Sequence, residues 1–399
     1  MHILLLNEYY PPDTSATAKM ASVVVGALAQ RHRITVLAGR PSYDPTEMYP
    51  WRLLRRETQG NVTIERVGST AYPRFQMRRR VSNYLTYSAM AAFRALTIRA
   101  DLVLCMTDPP FCGIVGAAIS KLAGRPFVYN IRDLYPDMAL GGEIVRPSLL
   151  ARCWEQMHRC ALRQAAKVIV LGDDMRERII AKGIDSKKVT VIRDGIRSSG
   201  KQPLSMDNPV SSEIRQGFRF VALHAGNLGF YGAWDTLLAA GSRLENTGLS
   251  IIFVGEGAQK ERLTAAARGT QSIRFLPFRP ANEIPNVLAA GDVHIVTVKR
   301  GLEGVIVPSK LYGILAAGKP VLAVAPPATD VARIVTAAGC GVAVDPDDPE
   351  AVAAAIRELA ALPERVAEMG RRALAIAGTY DIDMQLNQFV HTLEEVISA

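Results

Sequence analysis

His2-Ile-Leu-Leu-Leu-Asn-Glu-Tyr-Tyr-Pro-Pro-Asp-Thr-Ser-Ala-Thr-Ala18, followed by Lys19 to Arg31 and then Ile34-Thr-Val-Leu-Ala38, is the stretch that decides the fold class. His2 to Asn7 reads as a short buried strand, and Pro11-Pro12 ends it. Thr14 to Ala18 is a small-residue loop. Lys19 to Arg31 then reads as a helix, with Val23, Val24, Leu28 and Ala29 on a common side. Ile34 to Ala38 is the next strand. Strand, loop, helix and strand in that order are the grammar of a parallel sheet wound with crossover helices.

Outward from this unit the pattern recurs at residues 101–106, 127–131, 167–171 and 189–192. The texture changes at residues 197–217, which mix serine, proline, glycine and charge without periodicity and read as a linker plus a loop. A second strand series follows at 218–225, 250–254, 273–276, 293–298, 320–324 and 341–344. Residues 350–362 and 363–376 are alanine-rich amphipathic helices, and 381–397 is a further one. The expected division is a first Rossmann-like domain over 1–200, a linker over 201–217, and a second Rossmann-like domain over 218–377. No tandem repeat of 20–50 residues is visible, so two similar wound sheets account for the near-symmetry.

A chain of 399 residues fits two domains, and its 49% hydrophobic and 21% charged content describes globular structure and excludes disorder. The amino terminus lacks the basic and apolar regions of a signal peptide, and no run of about 18 apolar residues spans a membrane. Five cysteines form no CxxC pair or metal spacing, which reads as free thiols in a reducing cytoplasm. The net charge of +9 is concentrated: residues 51–100 hold ten arginines, no lysine, and only Glu57 and Glu65 as acids. Such a run is either a solvated face or a surface drawn to phosphate. No finger, helix-turn-helix or RNA-binding signature accompanies it, so nucleic acid is not the expected partner.

In a doubly wound sheet, ligands meet the segments just after the strands. Leu223-His-Ala-Gly-Asn-Leu-Gly229 and Phe253-Val-Gly-Glu-Gly257 are such segments. Their glycines let backbone amides approach a phosphate, or simply turn the chain from strand to helix. Ser272-Ile-Arg-Phe-Leu-Pro-Phe278 follows the same logic. In Gly301-Leu-Glu-Gly-Val-Ile-Val-Pro-Ser-Lys310, a loop bearing Glu303 and Gly304 leads into Pro308, Ser309 and Lys310 at a helix start. Proline suits the first turn and serine suits the cap, so an anion there would meet amides, a hydroxyl and an ammonium. In the first half, the counterparts are residues 11–18, Thr107-Asp-Pro-Pro110 and Ile131-Arg-Asp-Leu-Tyr-Pro-Asp137. Asp133 there can be a base, an orienting group or a plain ion-pair partner. GxSxG, HExxH, a Walker lysine motif and a metal cluster are all missing.

Six segments in order resemble glycosyltransferase family 4, the large retaining family with the GT-B fold. They are Tyr9 to Ala18, Val36-Leu-Ala-Gly-Arg-Pro-Ser-Tyr43, Arg132-Asp-Leu-Tyr-Pro-Asp137, Gly226-Asn-Leu-Gly229, Val254-Gly-Glu-Gly257 and Pro308-Ser-Lys-Leu-Tyr-Gly-Ile-Leu-Ala-Ala-Gly-Lys-Pro320. Their spacing is similar to the branch that makes O-antigen, capsule and exopolysaccharide precursors. The resemblance implies an α/β chain of two Rossmann-like, doubly wound parallel-sheet domains facing a central cleft, with a final helix (378–399) packing back on the first. The second domain would bind a nucleoside diphosphate sugar through Gly226, Asn227, Leu228, Gly229, Glu256, Leu276, Phe278, Gly304, Val305, Ser309 and Leu311. The first would bind a polyprenyl-diphosphate-linked or other glycan acceptor near Thr14, Ser15, Ala16, Asp108 and Asp137. The catalytic candidates the resemblance implies are Asp133, near the place of the family's first-domain histidine, Glu303, two residues before Val305 where the first donor-loop glutamate counts and reconciled with it by a short loop insertion, and Lys310. No metal and no cofactor beyond the sugar nucleotide are implied; a scaffold that binds the nucleotide without catalysis, a small-molecule acceptor and an epimerase are the competing readings. The chain departs from the family at Gly313, where many members carry the second donor-loop glutamate. It departs again at Asn227 and Gly232, where a basic pair is usual, so Lys310, with Lys299 or Arg300, must supply that charge.

Tyr72-Pro-Arg-Phe-Gln-Met-Arg-Arg-Arg80 precedes a helical pattern over 83–99, on which Leu85, Ala89, Ala92, Phe93 and Leu96 share a face. Arg78, Arg79 and Arg80 beside that face suit docking on the anionic inner leaflet of a cell membrane, hence a peripheral cytoplasmic enzyme. The alternative is that this face packs on the first sheet.

Overall fold

The computed structural model describes residues 1–42, 49–73, 76–197 and 205–398, with the side chains of Met77 and Arg78 outside the described set. Tyr43, Arg74, Phe75 and the Arg78 side chain therefore lie beyond it. The chain divides into two compact units: Met1–Leu140 with Val145–Ile192 and the residues from Leu386 on, and Gly141–Ile144 with Arg193–Gln385.

The first unit is built on eight strands: β1 (His2–Leu6), β2 (Arg33–Ala38), β3 (Leu54–Gln59), β4 (Val62–Val67), β5 (Leu102–Cys105), β6 (Phe127–Asn130), β7 (Lys167–Val170) and β8 (Val189–Val191). They lie in the order β3-β4-β2-β1-β5-β6-β7-β8. Ile3 faces Ile34 on one side and Leu102 on the other, both in parallel register. The strands are short apolar runs because both faces are covered, as parallel sheets require. The β3–β4 hairpin is the antiparallel exception and was not expected. β3 reads Leu-Arg-Arg-Glu-Thr-Gln, an edge strand exposed almost throughout, so it carries no apolar signal. The helices are α1 (Ala16–Leu28), α2 (Met77–Thr97), α3 (Cys112–Ala123), α4 (Asp137–Gly141), α5 (Leu149–Gln164) and α6 (Asp173–Ala181).

The second unit has six strands: β9 (Phe220–Ala225), β10 (Leu249–Val254), β11 (Ile273–Leu276), β12 (Val293–Thr297), β13 (Val321–Val324) and β14 (Gly341–Val344). Their order is β11-β10-β9-β12-β13-β14, all parallel. Counted from β9 this is 3-2-1-4-5-6, the Rossmann arrangement. Helices α7 (Pro209–Arg215), α8 (Trp234–Ser242), α9 (Lys260–Ala266), α10 (Ile284–Ala290) and α11 (Lys310–Ala316) accompany it. α7 corrects the expectation of an unstructured linker to residue 217. Asn208 caps it by accepting from Ser211 N at 2.8 Å, and Ile214 is fully buried against Val221, Leu223 and Val287. A helix this short leaves too few residues for a period to show.

The final helix, Ile382–Ser398, places Phe389, Val390 and Leu393 in the first unit's core beside Ile3, Val25, Leu28 and Ile34. Leu393 is completely buried. Leu393→Ala should destabilise the protein by about 2–5 kcal/mol, the cost of an internal cavity. Denaturant unfolding followed by circular dichroism measures it, and a loss below about 1 kcal/mol would mean that the helix is not part of that core.

Candidate functional site

Each sheet has one point where strand order reverses, and there the crossover helices leave the strand ends uncovered. In the second unit that point lies between β9 and β12. The chain leaves β9 into Gly226-Asn-Leu-Gly229 and leaves β12 into the loop that ends at Lys310.

Two glycine loops cross here, backbone on backbone. Gly226 N donates to Val254 O at 2.9 Å, and Leu228 N donates to Glu256 O at 2.8 Å. A Cβ on Gly255 (φ +151°) would fall 2.0 Å from Gly226 O, and one on Gly257 (φ +157°) 2.4 Å from Leu228 O. Only glycine permits both the conformation and the approach. Gly226 itself has φ +145°, and a Cβ there would come 3.2 Å from Lys310 Nζ. The expected residues Gly226, Leu228, Gly229 and Lys310 are thus brought together. The Glu256 side chain instead pairs with Lys260 at 2.6 Å.

Lys310 is partly accessible, yet atoms enclose its amine on most sides. Burial lowers its pKa to about 7. Its Nζ lies 3.0 Å from His224 Nε2 and 5.8 Å from the centre of the Tyr231 ring. His224 is fully buried, and burial followed by Lys310 holds it well below the usual histidine range. Sequence reasoning passed over His224. The signal was one polar residue inside the apolar strand Phe-Val-Ala-Leu-His-Ala.

Two expectations need correction. Ser309 sits in helical backbone (φ −59°, ψ −20°) and makes no side-chain cap, so its hydroxyl does not close the α11 terminus. Arg300 is not available to the glycine loops: it grips Asp345 at 2.7 Å and Asp347 at 2.5 Å on the surface. Lys299 lies 3.3 Å from Glu143. The structure also accounts for Gly232, since a Cβ there would meet the Trp234 indole at 2.4 Å. Gly313 is different: a Cβ would touch nothing nearer than Ile196 at 3.9 Å, so a side chain would have room. Val305 is fully buried and Leu311 nearly so, which makes them packing residues. Glu303 is half-buried, Leu276 is half-buried at the end of β11, and Phe278 is exposed beyond it.

In the first unit the reversal lies between β1 and β5. Glu8, buried after β1, and Asp108, after β5, join here. Glu8 N donates to Asp108 O at 2.7 Å, and Asn7 Oδ1 accepts from Asp108 N at 3.3 Å. Burial, then the Asp108 charge, pushes Glu8 well above the usual carboxylate range, against the pull of Arg80. Burial also raises Asp108, while a hydrogen bond from Thr17 and the charges of Arg80 and Arg132 oppose it. Arg80 turns inward: its Nη2 donates to Tyr9 OH at 3.0 Å, and its guanidinium stacks on Tyr84 at 5.4 Å. That overturns its expected place on a membrane-facing surface. Asp133, after β6, is half-buried; burial first, then the charges of Asp133 and Asp108, push the Tyr135 hydroxyl well above its usual range. Ser15 caps α1 by accepting from Ala18 N at 3.0 Å, while Thr14 and Ala16 are exposed. Asp137 is an ion-pair residue, bonded to Lys182 at 2.7 Å and Arg178 at 2.9 Å. Burial works against its ionisation, but those two cations outweigh it and hold its carboxyl below the ordinary range.

A surface cavity of about 510 Å³, lined by Met1, His2, Arg33, Arg99, Asp101 and Arg125, opens at the amino ends of the first sheet's strands. That is the opposite end from the one at which parallel sheets bind ligands. Among the described residues, no group of three or more His, Cys, Asp or Glu could hold a metal ion.

Residues 16–195 match the glycosyl transferase 4-like domain, and residues 219–361 match the glycosyl transferases group 1 domain. The chain is 26% identical over 417 residues to WcaI of Escherichia coli (strain K12), named as a colanic acid biosynthesis glycosyl transferase, covering 98% of this chain and 100% of WcaI. It is 27% identical over 304 residues to WbjE of Pseudomonas aeruginosa, named as a glycosyltransferase, covering 73% of this chain and 75% of WbjE. The crystal structure of Anabaena HepE in complex with UDP-glucose superposes with a TM-score of 0.69 at 19% identity, over 99% of this chain and 100% of HepE. With two parallel-sheet domains and both family domains in order, the chain belongs to glycosyltransferase family 4 and has the GT-B fold.

Proposed function

We propose that this glycosyltransferase moves a sugar from a nucleoside diphosphate sugar, with retention at the anomeric carbon, to a polyprenyl-diphosphate-linked or other glycan acceptor in cell-envelope polysaccharide synthesis. The observation that carries the reading is Lys310 beside two crossed glycine loops at the order reversal of the second sheet. As the glycosidic bond breaks, negative charge grows on the departing diphosphate. An enclosed cation and fixed backbone amides stabilise that charge without reorganising. WcaI is named for colanic acid synthesis and HepE was crystallised with UDP-glucose, which supports a sugar-nucleotide donor and an envelope product. In this reading Glu303 contacts the donor sugar's hydroxyls, and Asp133 and Asp108 face the acceptor. The sugar nucleotide is co-substrate, and no resident cofactor or metal takes part.

The same reading places the enzyme on the anionic inner face of the membrane. No described helix is long and apolar enough to cross a bilayer. α2, however, buries Asn83, Tyr87, Ala91 and Ala95 and turns Val81, Leu85, Ala89, Phe93 and Leu96 outward. Phe93 is 76% exposed and Leu85 57%, so this apolar face is not the one that packs on the sheet. Arg79 and Arg99 are exposed near its two ends. Apolar side chains between basic ones suit the headgroup region of an anionic bilayer.

Three outcomes test these statements. NMR of the product should show the donor's anomeric configuration preserved; inversion would remove the retaining assignment. Lys310→Ala should cost about 1.5–3 kcal/mol of donor affinity, one charge-assisted contact, and slow transfer. Thermal shifts across a panel of sugar nucleotides read that loss, and a variant with unchanged donor stabilisation and turnover would displace the site. Vesicle co-sedimentation should require anionic lipid, weaken with salt, and fall sharply in Leu85→Asp/Phe93→Asp, since each inserted side chain contributes about 1.5–3 kcal/mol. Equal recovery with neutral and anionic vesicles, unchanged in the double variant, would exclude the membrane surface.

A further inference from the structure

Two lysines of the second unit, the buried Lys319 and the half-buried Lys310, have surroundings that differ in kind. Lys319 donates to Ala289 O at 2.8 Å and Gly291 O at 3.0 Å, two carbonyls near the end of α10, which is a structural use of an ammonium. Lys310 meets a ring nitrogen instead, His224 Nε2 at 3.0 Å. On the other side of the ring, His224 Nδ1 lies 3.3 Å from Ile295 O in β12. A carbonyl can only accept, so with the proton on Nδ1 toward Ile295 O the Nε2 lone pair faces Lys310; the ring also bonds to the backbone of Asn227. The ring is fixed edge-on to Trp234, with centroids 4.9 Å apart. Trp234 is fixed in turn by its Nε1–H, which donates to Gly229 O at 2.6 Å.

We propose that His224 is a positioning residue whose Nε2 lone pair holds the Lys310 amine beside Gly226 and sets its charge for the diphosphate of the sugar nucleotide. The inference rests on the donor reading of the second unit and adds how the cation there is controlled. The imidazole is the acceptor that keeps an ammonium tolerable in an enclosed site, and it brings no negative charge that would repel a phosphate. A carboxylate in its place would hold the lysine more tightly and oppose the ligand. Packing fixes the ring, so the amine is aimed before the ligand arrives.

Other titratable and charged groups lie on the elements around the amine. His224 comes from β9 and Tyr231 from the loop after Gly229. His294 of β12 is buried, lies 2.9 Å from Leu288 O, and is lowered to about 4 by burial, so it is neutral. On the far side of α11, Tyr312 feels Asp194, Asp330 and Arg193. On the helix Pro363–Ala377 packed behind α11, Glu368 pairs with Arg371 and Arg372. Glu303 and Lys299 precede Lys310 in the same loop, and burial is the dominant influence on the amine itself. With that amine poised near 7, an approaching diphosphate draws it to the ammonium form. Binding then takes up a proton, and affinity falls by about tenfold per pH unit above 7 until the bound form titrates.

The test measures the amine first and the ligand second. Acetylation of Lys310 by acetic anhydride, followed by peptide mass mapping across pH in the intact protein without nucleotide, should show half-maximal reactivity near 7. His224→Phe, which keeps an aromatic body but removes the lone pair, should move that midpoint down by about one to two pH units. His224→Gln, which can offer an amide oxygen, should restore much of it; should the Phe variant not fold, His224→Leu serves the same comparison. Binding of UDP-, GDP- and dTDP-sugars, whose diphosphates do not titrate near neutrality, should weaken with rising pH in the wild type. In the variants the KM for the donor should rise more than kcat falls. A Lys310 that titrates as an ordinary lysine above about 10, with pH-independent donor affinity, would overturn the proposal and leave the donor reading intact. A midpoint that moves in His224→Phe while no sugar nucleotide binds would keep the pairing and overturn the donor reading.

Discussion

The contact on which the second unit depends is backbone against backbone, where Gly255 meets the carbonyl of Gly226. A single Cβ on Gly255 would sit 2.0 Å from that oxygen. Because nothing intervenes, Gly226 N can reach Val254 O and Leu228 N can reach Glu256 O, which tie the two loops together. Once the loops are tied, Gly226 takes a conformation that leaves a space with no side chain of its own. The Lys310 amine fills that space, and Tyr231 and His224 wall it. Glycine's conformational freedom costs folding entropy at each of these positions. The return is a cation held beside amides at the one place where the sheet leaves its strand ends open.

The features legible in sequence were those written in apolar runs. β1, β2, β9, β10, β12 and β13 are short buried stretches and β11 and β14 short, partly buried ones, and each announced itself. The crossed glycine loops were legible as glycine-rich segments after strands, though not that they touch. What escaped was encoded by geometry. β3 and β4 form an edge hairpin whose first strand is charged and exposed, so neither burial nor alternation marks it. Ser309 before Lys310 has the composition of a cap, but its backbone is already helical, and composition does not show which torsions a residue takes. His224 looked like one more residue of a core strand. Its function depends on what Lys310, far along the chain, places against it.

The arginine-rich stretch shows how a local charge count can mislead. Arg94 forms a two-pronged pair with the buried Glu65, at 2.7 and 2.8 Å. Arg66 is buried and donates to the carbonyls of Gly39 and Pro11. Arg80 holds Tyr9 and Tyr84. These three work inside the unit, where a bidentate guanidinium can satisfy carboxylate and carbonyl oxygens that a lysine would reach singly. Arg52, Arg55, Arg56, Arg79 and Arg99 remain on the surface. The run of one sign is therefore two populations, one structural and one solvated, and only the second can contribute to attraction at a distance.

Both units gather one cluster of buried polar groups at the same topological address. In the first, Glu8, Asp108 and Arg80 gather after β1 and β5; in the second, His224 and Lys310 gather after β9 and β12. Stability alone does not call for this. Well-packed apolar residues of similar volume usually serve a core as well as or better than buried charge. The Glu8 Oε2 atom, buried without a hydrogen-bond partner among the described residues, is a net cost on that account. Most other strand interiors in the same sheets are apolar, with Glu65 and Arg66 of β4 and His294 of β12 among the exceptions. These two clusters stand at the strand ends that the crossover helices leave uncovered. They stand where a ligand can meet them, and their burial already holds them in place before it arrives.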